Sequence, residues 1–462
     1  MISKFNIIVC CDNAGGISKD GNMPWNCKED LKFFKDITIG DGDNAVLMGR
    51  LTYLSIPEAY RPLSNRKNVI ISKEWKQNDY SNISIYGSLI EALIGLSNKK
   101  IKEVFIIGGE SIYSQIMKKY LYLCKKLYLT KLKQSYSCDQ FYPIDDINNN
   151  FTLSQTIQSK DFFRYTYEGK ACHFENKYLE CLEDILNNGE LRDNRTGVKT
   201  LSLFSKKLTF DLRDGFPLMT CRQLNFEGMV KEVLFLISGR TDTSKMGLKI
   251  WEKNTSREFL DSRGLNDYKE GDLGAGYSFQ WRHWGADYKG CDSDYTNEGI
   301  DQLSNLIKNI KDDPFSRRHL LSCWNVSDLN KMALEPCHYC IQFNVSSDKK
   351  YLDGLLHMRS NDMIIGAPWN IAEYSLLMIM IGHLTNLTPR YYYHEIGDAH
   401  IYENHIETAK TLIKRVPKPS CNVRLVNKDN LTTIDDFTTD SFVLDDYESW
   451  SKVSEKDIKL VV

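Results

Sequence analysis

Cys337 stands in Pro336-Cys337-His338, just ahead of a strand-like run. A cysteine attacks as its thiolate, and nearby cations favour that form. The same half of the chain carries Arg195 in DNRTG, Arg317-Arg318 in FSRRHLLSCWN and Arg359 in HMRSND. Any one of these reads as ordinary surface charge. Four of them accompanying a Pro-Cys-His make a phosphate site beside a thiolate. A second constellation lies in the first third. Asp30 sits in the first turn of a helical pattern behind Pro24-Trp25, and Leu31, Phe33 and Phe34 follow it. A carboxylate among apolar neighbours gains proton affinity and can bind a protonated or amidine-like heterocycle. An ordinary capping Asp would occupy the same position. Two strand–turn–helix junctions, NAVLMGRLTY and VFIIGGESIY, offer backbone N–H groups of the kind that cradle a pyrophosphate. Each alone reads equally as a tight turn. Together they can grip one dinucleotide, with Arg50 and Lys73 as candidates for an extra 2′-phosphate, which favours NADPH over NADH.

These groups need scaffolds, and the chain is long enough for two or three domains at 462 residues. Apolar residues make up 42% and charged residues 26%, as in ordinary globular proteins. Lys plus Arg number 59 against 61 Asp plus Glu, so no global field recruits nucleic acid and any anion site must be local. Thirteen scattered cysteines suit a reducing cytoplasm better than a disulfide scaffold. Neither the first residues nor the apolar stretch Tyr374 to Leu384 reads as a signal peptide or a membrane span; the stretch reads as a buried helix.

FNIIVCC, NAVLMG, KNVIIS, ISIYG, EVFIIGG, KLYLTKL and FRYTYEG read as strands alternating with helical patterns, which predicts an α/β domain with a mostly parallel sheet over 1–170. At residue 171 the pattern changes to helical spacing through Phe174, Tyr178, Leu182 and Ile185. A larger α/β or α+β domain follows over 171–462. Its expected helices are IDQLSNLIKNI, IAEYSLLMIMIGHL and IYENHIETAKTLIKR; VKEVLFLI is a helix or a buried strand. LSLFSKKLTF, HLLSCWNV and CHYCIQFNV read as strands.

The ordered set GISKDGNMPW, Asp30, Phe34, Gly49 to Ile56, Arg61 to Arg66, IIGG, Tyr113 and LYLT resembles dihydrofolate reductase. The resemblance implies that Asp30 holds the pteridine and assists its protonation, with Thr130 beside it. Val9, Phe34 and Ile107 would line the pocket, and Arg66 would take the glutamate tail of the folate. Cys10, Ile17, Gly49, Arg50, Leu51, Thr52, Ser72, Lys73, Gly108, Gly109, Glu110, Ser111, Ile112 and Tyr113 would hold NADPH. Ser18 and Asn65 depart from the family pattern, where glycine is frequent.

From residue 173 onward the chain resembles thymidylate synthase through DNRTGV, DGFPL, GDL, QWR, DP-x-SRR, PCH, RS-x-D-x-x-x-G-x-P-x-N and GDAHIYENH. The family's chemistry implies that Cys337 adds to C6 of dUMP and C5 attacks 5,10-methylenetetrahydrofolate. The folate then donates hydride, giving dTMP and dihydrofolate. Arg195, Arg359 and Ser360 would hold the phosphate, with Arg317 and Arg318 reaching across from a partner in a homodimer. Asn370 would read the uracil edge, and Asp362 would act near the pyrimidine and folate. His400 and Tyr402 would bind the ribose, and Glu232 would organise proton transfers. Trp251, Tyr277, His338 and Met358 would line or contact the substrate. No metal is expected. His357, Met358, Trp369 and Gln223 depart from the pattern. The tail after Ile458 is shorter than usual, and its apolar end would close the site. The reductase-first order matches the bifunctional enzymes. A deoxyuridylate hydroxymethylase fused to a reductase, or a folate- or RNA-binding relic without activity, are the alternatives.

Overall fold

The computed structural model describes residues 4–76, 82–97, 100–143, 147–169 and 173–453. The chain divides into two units between His173 and Phe174. The tail Asp457 to Val462 lies outside the described residues.

In the first unit, strands buried on both faces read as unbroken apolar runs, as a parallel sheet covered by helices requires. Of the parallel strands β1 (Phe5–Cys11), β2 (Ala45–Gly49), β3 (Lys67–Ile71), β4 (Ser84–Tyr86), β5 (Val104–Ile106) and β6 (Cys124–Leu132), the central β1, β2 and β5 are of this kind, while β4 is half-buried and β6 exposes Lys125. Two antiparallel strands complete the sheet, β7 (Phe151–Gln158) and β8 (Phe162–Gly169), giving the order β4-β3-β2-β5-β1-β6-β8-β7. The edge strand β7 escaped the sequence reading because it is exposed beyond Phe151 and its apolar row, Phe151, Leu153 and Ile157, is interrupted by Gln155. Helix α1 (Lys28–Ile39) carries Asp30 in its first turn; the short helix α2 (Arg50–Ser55) follows β2 directly, and α3 (Glu110–Gln115) follows β5 after the turn Ile107, Gly108 and Gly109. Past Gln115 the chain of α3 widens into a π turn over Ile116–Tyr120.

The second unit opens with α4 (Phe174–Asn188) and builds a six-stranded sheet. Its strands are β9 (Glu190–Arg192), β10 (Thr200–Asp211), β11 (Leu320–Ser322), β12 (His338–Val345), β13 (Tyr351–Asp362) and β14 (Thr388–Tyr402), in the order β9-β10-β14-β13-β12-β11. VKEVLFLI resolves to a helix, α5 (Phe226–Ile237). The helix α6 (Gly366–Thr385) is buried nearly all round, as its uniformly apolar sequence requires. It packs so closely on β13 that a side chain at Gly354 would meet Met378 Sδ at 2.8 Å. The expected helix IYENHIETAKTLIKR begins late, at Ile406: Ile401 and Tyr402 still belong to β14, where cross-strand pairing overrides the helical spacing.

Glu175 anchors the start of α4. Its fully buried carboxylate accepts from the Thr220 and Cys221 backbone N–H groups at 2.6 to 3.0 Å and from the Thr220 hydroxyl at 2.6 Å. Burial pushes its pKa up, and these donors hold it back. Glu175→Ala strands these donors, so unfolding in urea should show a loss of about 2–4 kcal/mol from the second unit.

Candidate active sites

In the first unit a cavity of about 1460 Å³ opens at the carboxyl ends of β1, β2 and β5. Ligands enter such parallel sheets at that edge. Its wall holds Val9, Cys10, Ile17, Asp30, Phe34, Arg66, Ser72, Lys73, Ile107, and the runs Gly49–Thr52 and Gly108–Tyr113. The two glycine turns are stitched together, with the Gly49 N–H donating to the Gly108 carbonyl at 2.9 Å. Gly108 has φ +120°, which L side chains rarely adopt, and a Cβ at Gly109 would press on Thr52 Oγ1 at 3.0 Å. Absent side chains here let a ligand approach the backbone closely, so these residues fit a dinucleotide. Arg50 pairs with Glu74 at 3.0 Å, an exposed contact of small energetic weight.

Asp30 faces two groups at the cavity floor. The Cys10 thiol bonds to it, and burial together with the Asp30 charge pushes that thiol far up, so Cys10 stays protonated. The Arg164 guanidinium on β8 lies 3.5 Å from Asp30. Arg164 is clamped over the Phe33 and Phe162 rings at 3.9 and 4.9 Å, and its Nε donates to Thr130 Oγ1 at 3.1 Å. Thr130 therefore sits behind the cavity wall and joins Asp30 through Arg164. Arg66 lies over the Phe34 ring at 5.8 Å and donates to the Thr38 hydroxyl at 2.7 Å.

In the second unit Cys337 precedes β12. Its backbone N–H donates to the Tyr277 hydroxyl at 3.0 Å. Burial pushes the thiol up, while Arg359, the Tyr277 hydroxyl and Arg195 pull it back toward the thiolate. The Arg359 guanidinium is braced by the Pro336 and Glu335 carbonyls at 3.0 and 2.8 Å. Ser360 and Asp398 both reach His400 Nδ1, at 3.4 and 3.0 Å. The Asp398 and Asp362 charges outweigh burial and raise the His400 pKa. Tyr402 packs on the His400 ring and feels the Arg195 and Cys337 charges. The Asp362 carboxylate accepts from the Ile364 and Ile365 N–H groups at 2.8 and 3.1 Å. Trp251 packs on Tyr277 at 5.5 Å and donates to Glu232 at 2.8 Å. Asn370 on α6 accepts from Asn361 at 3.0 Å.

A dihydrofolate reductase family model matches residues 4–175, and a thymidylate synthase model matches residues 176–458. The bifunctional dihydrofolate reductase-thymidylate synthase 2 of Arabidopsis thaliana is 37% identical over 505 residues, covering 98% of this chain and 88% of that protein. The bifunctional protein of Zea mays is 37% identical, covering 98% and 96%; that of Paramecium tetraurelia is 36% identical, covering 98% of each. The chain belongs to the bifunctional dihydrofolate reductase–thymidylate synthase family. It methylates dUMP to dTMP with 5,10-methylenetetrahydrofolate and reduces the dihydrofolate formed with NADPH. No helix among the described residues is long and apolar enough to cross a membrane.

Within the reductase half, the sequence-named residues converge on one cavity, Thr130 standing just behind it. Within the synthase half the convergence is partial. The His338 imidazole is buried behind Cys337, bonded to the Tyr374 hydroxyl at 2.6 Å, and burial drives its pKa down to about 3. Met358 is a core side chain, because strand alternation turns it away from the face that carries Arg359. Arg317 and Arg318 are exposed. Two residues at the sites escaped the sequence reading. Arg164 had one usable signal: the alternation of FFRYTYEG puts it in the same inward row as Phe162. Glu373 had another: it is the single carboxylate inside the apolar run of α6.

Proposed function

We propose that Cys337 is the nucleophile of the synthase reaction and Asp30 the pterin-binding carboxylate of the reductase. The observation that carries the first role is the setting of Cys337, a half-buried thiol beside the Tyr277 hydroxyl and the Arg359 guanidinium braced on the carbonyls of Glu335 and Pro336, with Arg359 and Arg195 opposing the effect of burial. Thiolate addition to C6 of dUMP makes C5 nucleophilic toward the folate methylene; transfer of hydride from the folate then completes the methyl group. Arg195, Arg359 and Ser360 take the phosphate, His400 and Tyr402 the ribose, and Asn370 the uracil edge. Trp251 and Tyr277 wall the site, while Asp362 lies near the pyrimidine and folate. Glu232 organises proton transfer. In the reductase, Val9, Phe34 and Ile107 flank the pterin and Arg66 takes the glutamate carboxylate. Gly49–Thr52, Ser72, Lys73 and Gly108–Tyr113 hold NADPH, with Cys10 and Ile17 against it. NADPH supplies the hydride for dihydrofolate reduction when bound.

The synthase half acts as a homodimer in this reading. Phe204 on β10 is 75% exposed and Leu191 on β9 is 54% exposed, apolar side chains that a partner subunit would cover. Arg317 and Arg318 stand exposed, ready to serve a neighbour's site. Complementation tests this. Cys337→Ser chains and Arg317→Ala/Arg318→Ala chains should each be inactive as synthases. Refolded together, they should regain roughly a quarter of wild-type activity, because half of the dimers then hold one complete site. No regained activity would refute the shared site. The described cysteines are free thiols, which supports a reducing, cytoplasmic setting.

A further inference from the structure

Two carboxyls meet under the synthase site. Glu232 on α5 and Glu373 on α6 are both buried and hydrogen-bonded to each other. Trp369 Nε1 donates to both, reaching Glu373 at 3.0 Å. Glu232 also accepts from Trp251 Nε1 at 2.8 Å, and Glu373 accepts from Asn370 Nδ2 at 3.2 Å. Trp369, Asn370 and Glu373 share one face of α6 because they lie three and four residues apart. Two buried carboxyls in contact cannot both ionise, so they share a proton. Each carboxyl accepts two N–H donors, the Trp369 indole being shared, but burial and the Glu232 charge push the Glu373 carboxyl well above the usual range, so the proton rests on Glu373.

The other end of Asn370 is pinned as well. Burial keeps His394 neutral, its pKa down to about 3. His394 Nε2 lies 3.0 Å from Asn361 Oδ1, which can only accept, so Nε2 carries the hydrogen and Nδ1 accepts from the Tyr392 hydroxyl at 2.7 Å. Asn361 Nδ2 then donates to Asn370 Oδ1 at 3.0 Å, leaving Asn370 Nδ2 to point at Glu373. The remaining lone pair and hydrogen of that amide match N3–H and O4 of uracil, and they oppose the reversed pattern of cytosine.

We propose that Glu373 is a positioning residue of the synthase: as a neutral acid it donates to Glu232, and it locks the Asn370 amide in the orientation that selects uracil. This rests on the roles given to Glu232 and Asn370 under the proposed function. The other titratable groups that act on Glu373 are Tyr374 on α6 and Tyr392 on β14, both kept neutral by burial, so Glu232 is the charge that faces it.

The test uses the full chain with Glu373→Gln and Glu373→Leu, reading kcat, KM for dUMP, inhibition by dCMP, and the pH profile of kcat. Glu373→Gln replaces a neutral acid by a neutral amide, so kcat at neutral pH should stay within about fivefold, the scale of one net hydrogen bond. In the unaltered chain kcat should fall at alkaline pH as the shared proton leaves, and Glu373→Gln should lack that fall. Glu373→Leu frees Asn370, so the preference for dUMP over dCMP should drop by about tenfold or more. A Glu373→Gln enzyme as impaired as Glu373→Leu, or an unchanged dUMP preference in Glu373→Leu, would overturn the proposal. Asn370→Asp separates the two readings. If it leaves the preference intact, the role of Asn370 itself falls; if it abolishes the preference while Glu373→Leu does not, only the role of Glu373 falls.

Discussion

In the Cys337→Ser variant, dTMP formation should fall by at least ~10³-fold while NADPH oxidation with dihydrofolate is unchanged. Serine fills the same space, but its hydroxyl is not ionised by the Arg359 and Arg195 charges that oppose burial at Cys337. Cys340 is the control. It lies three residues on in β12, where burial drives its thiol up to about 11 with no cation offsetting it. Cys340→Ser should keep synthase turnover. Loss of turnover in Cys340→Ser with retention in Cys337→Ser would reverse the assignment.

The second large effect is expected at Asp30. In Asp30→Asn, dihydrofolate turnover near neutral pH should fall by ~10²–10⁴-fold, the range for lost acid–base assistance. Synthase activity should be unaffected. The variant also leaves Arg164 buried beside a neutral amide, which costs on the order of 3 kcal/mol of stability in that unit. A double variant separates the two effects. Asp30→Asn with Arg164→Met removes the stranded charge, so the melting temperature should recover while turnover does not. Turnover that recovers together with stability would mean that Asp30 is a structural counter-ion and has no part in binding or protonating the pterin.

Chemistry confined to a short motif was legible in the sequence. Asp30 among Leu31, Phe33 and Phe34, and Cys337 between Pro336 and His338, carry their meaning within a few residues. The central parallel strands of the reductase were legible for the same reason: burial on both faces leaves an unbroken apolar run. What escaped depends on distant pairing. Arg164 meets Asp30 only because β8 lies antiparallel to β6, and the indole of Trp369 meets Glu232 across 137 residues. The central strands β13 and β14 carry charges and glycines through YLDGLLHMRSND and TPRYYYHEIGDAHIY. Their parallel pairing to each other, with α6 on one face, makes them strands where local pattern does not. Met358 shows the converse: a motif position suggested a substrate contact, and strand alternation sent the side chain into the core.

The most direct measurement follows one preparation of the full chain with dUMP and 5,10-methylenetetrahydrofolate, scoring nucleotide and folate products before and after NADPH is added. Before addition, dTMP and dihydrofolate should appear one for one; afterwards, dihydrofolate should be consumed to tetrahydrofolate. Asp30→Asn should stop at dihydrofolate, and Cys337→Ser should form neither product. Release of a hydroxymethylated nucleotide with tetrahydrofolate, and no dihydrofolate at any stage, would contradict the assignment of both reactions to this chain.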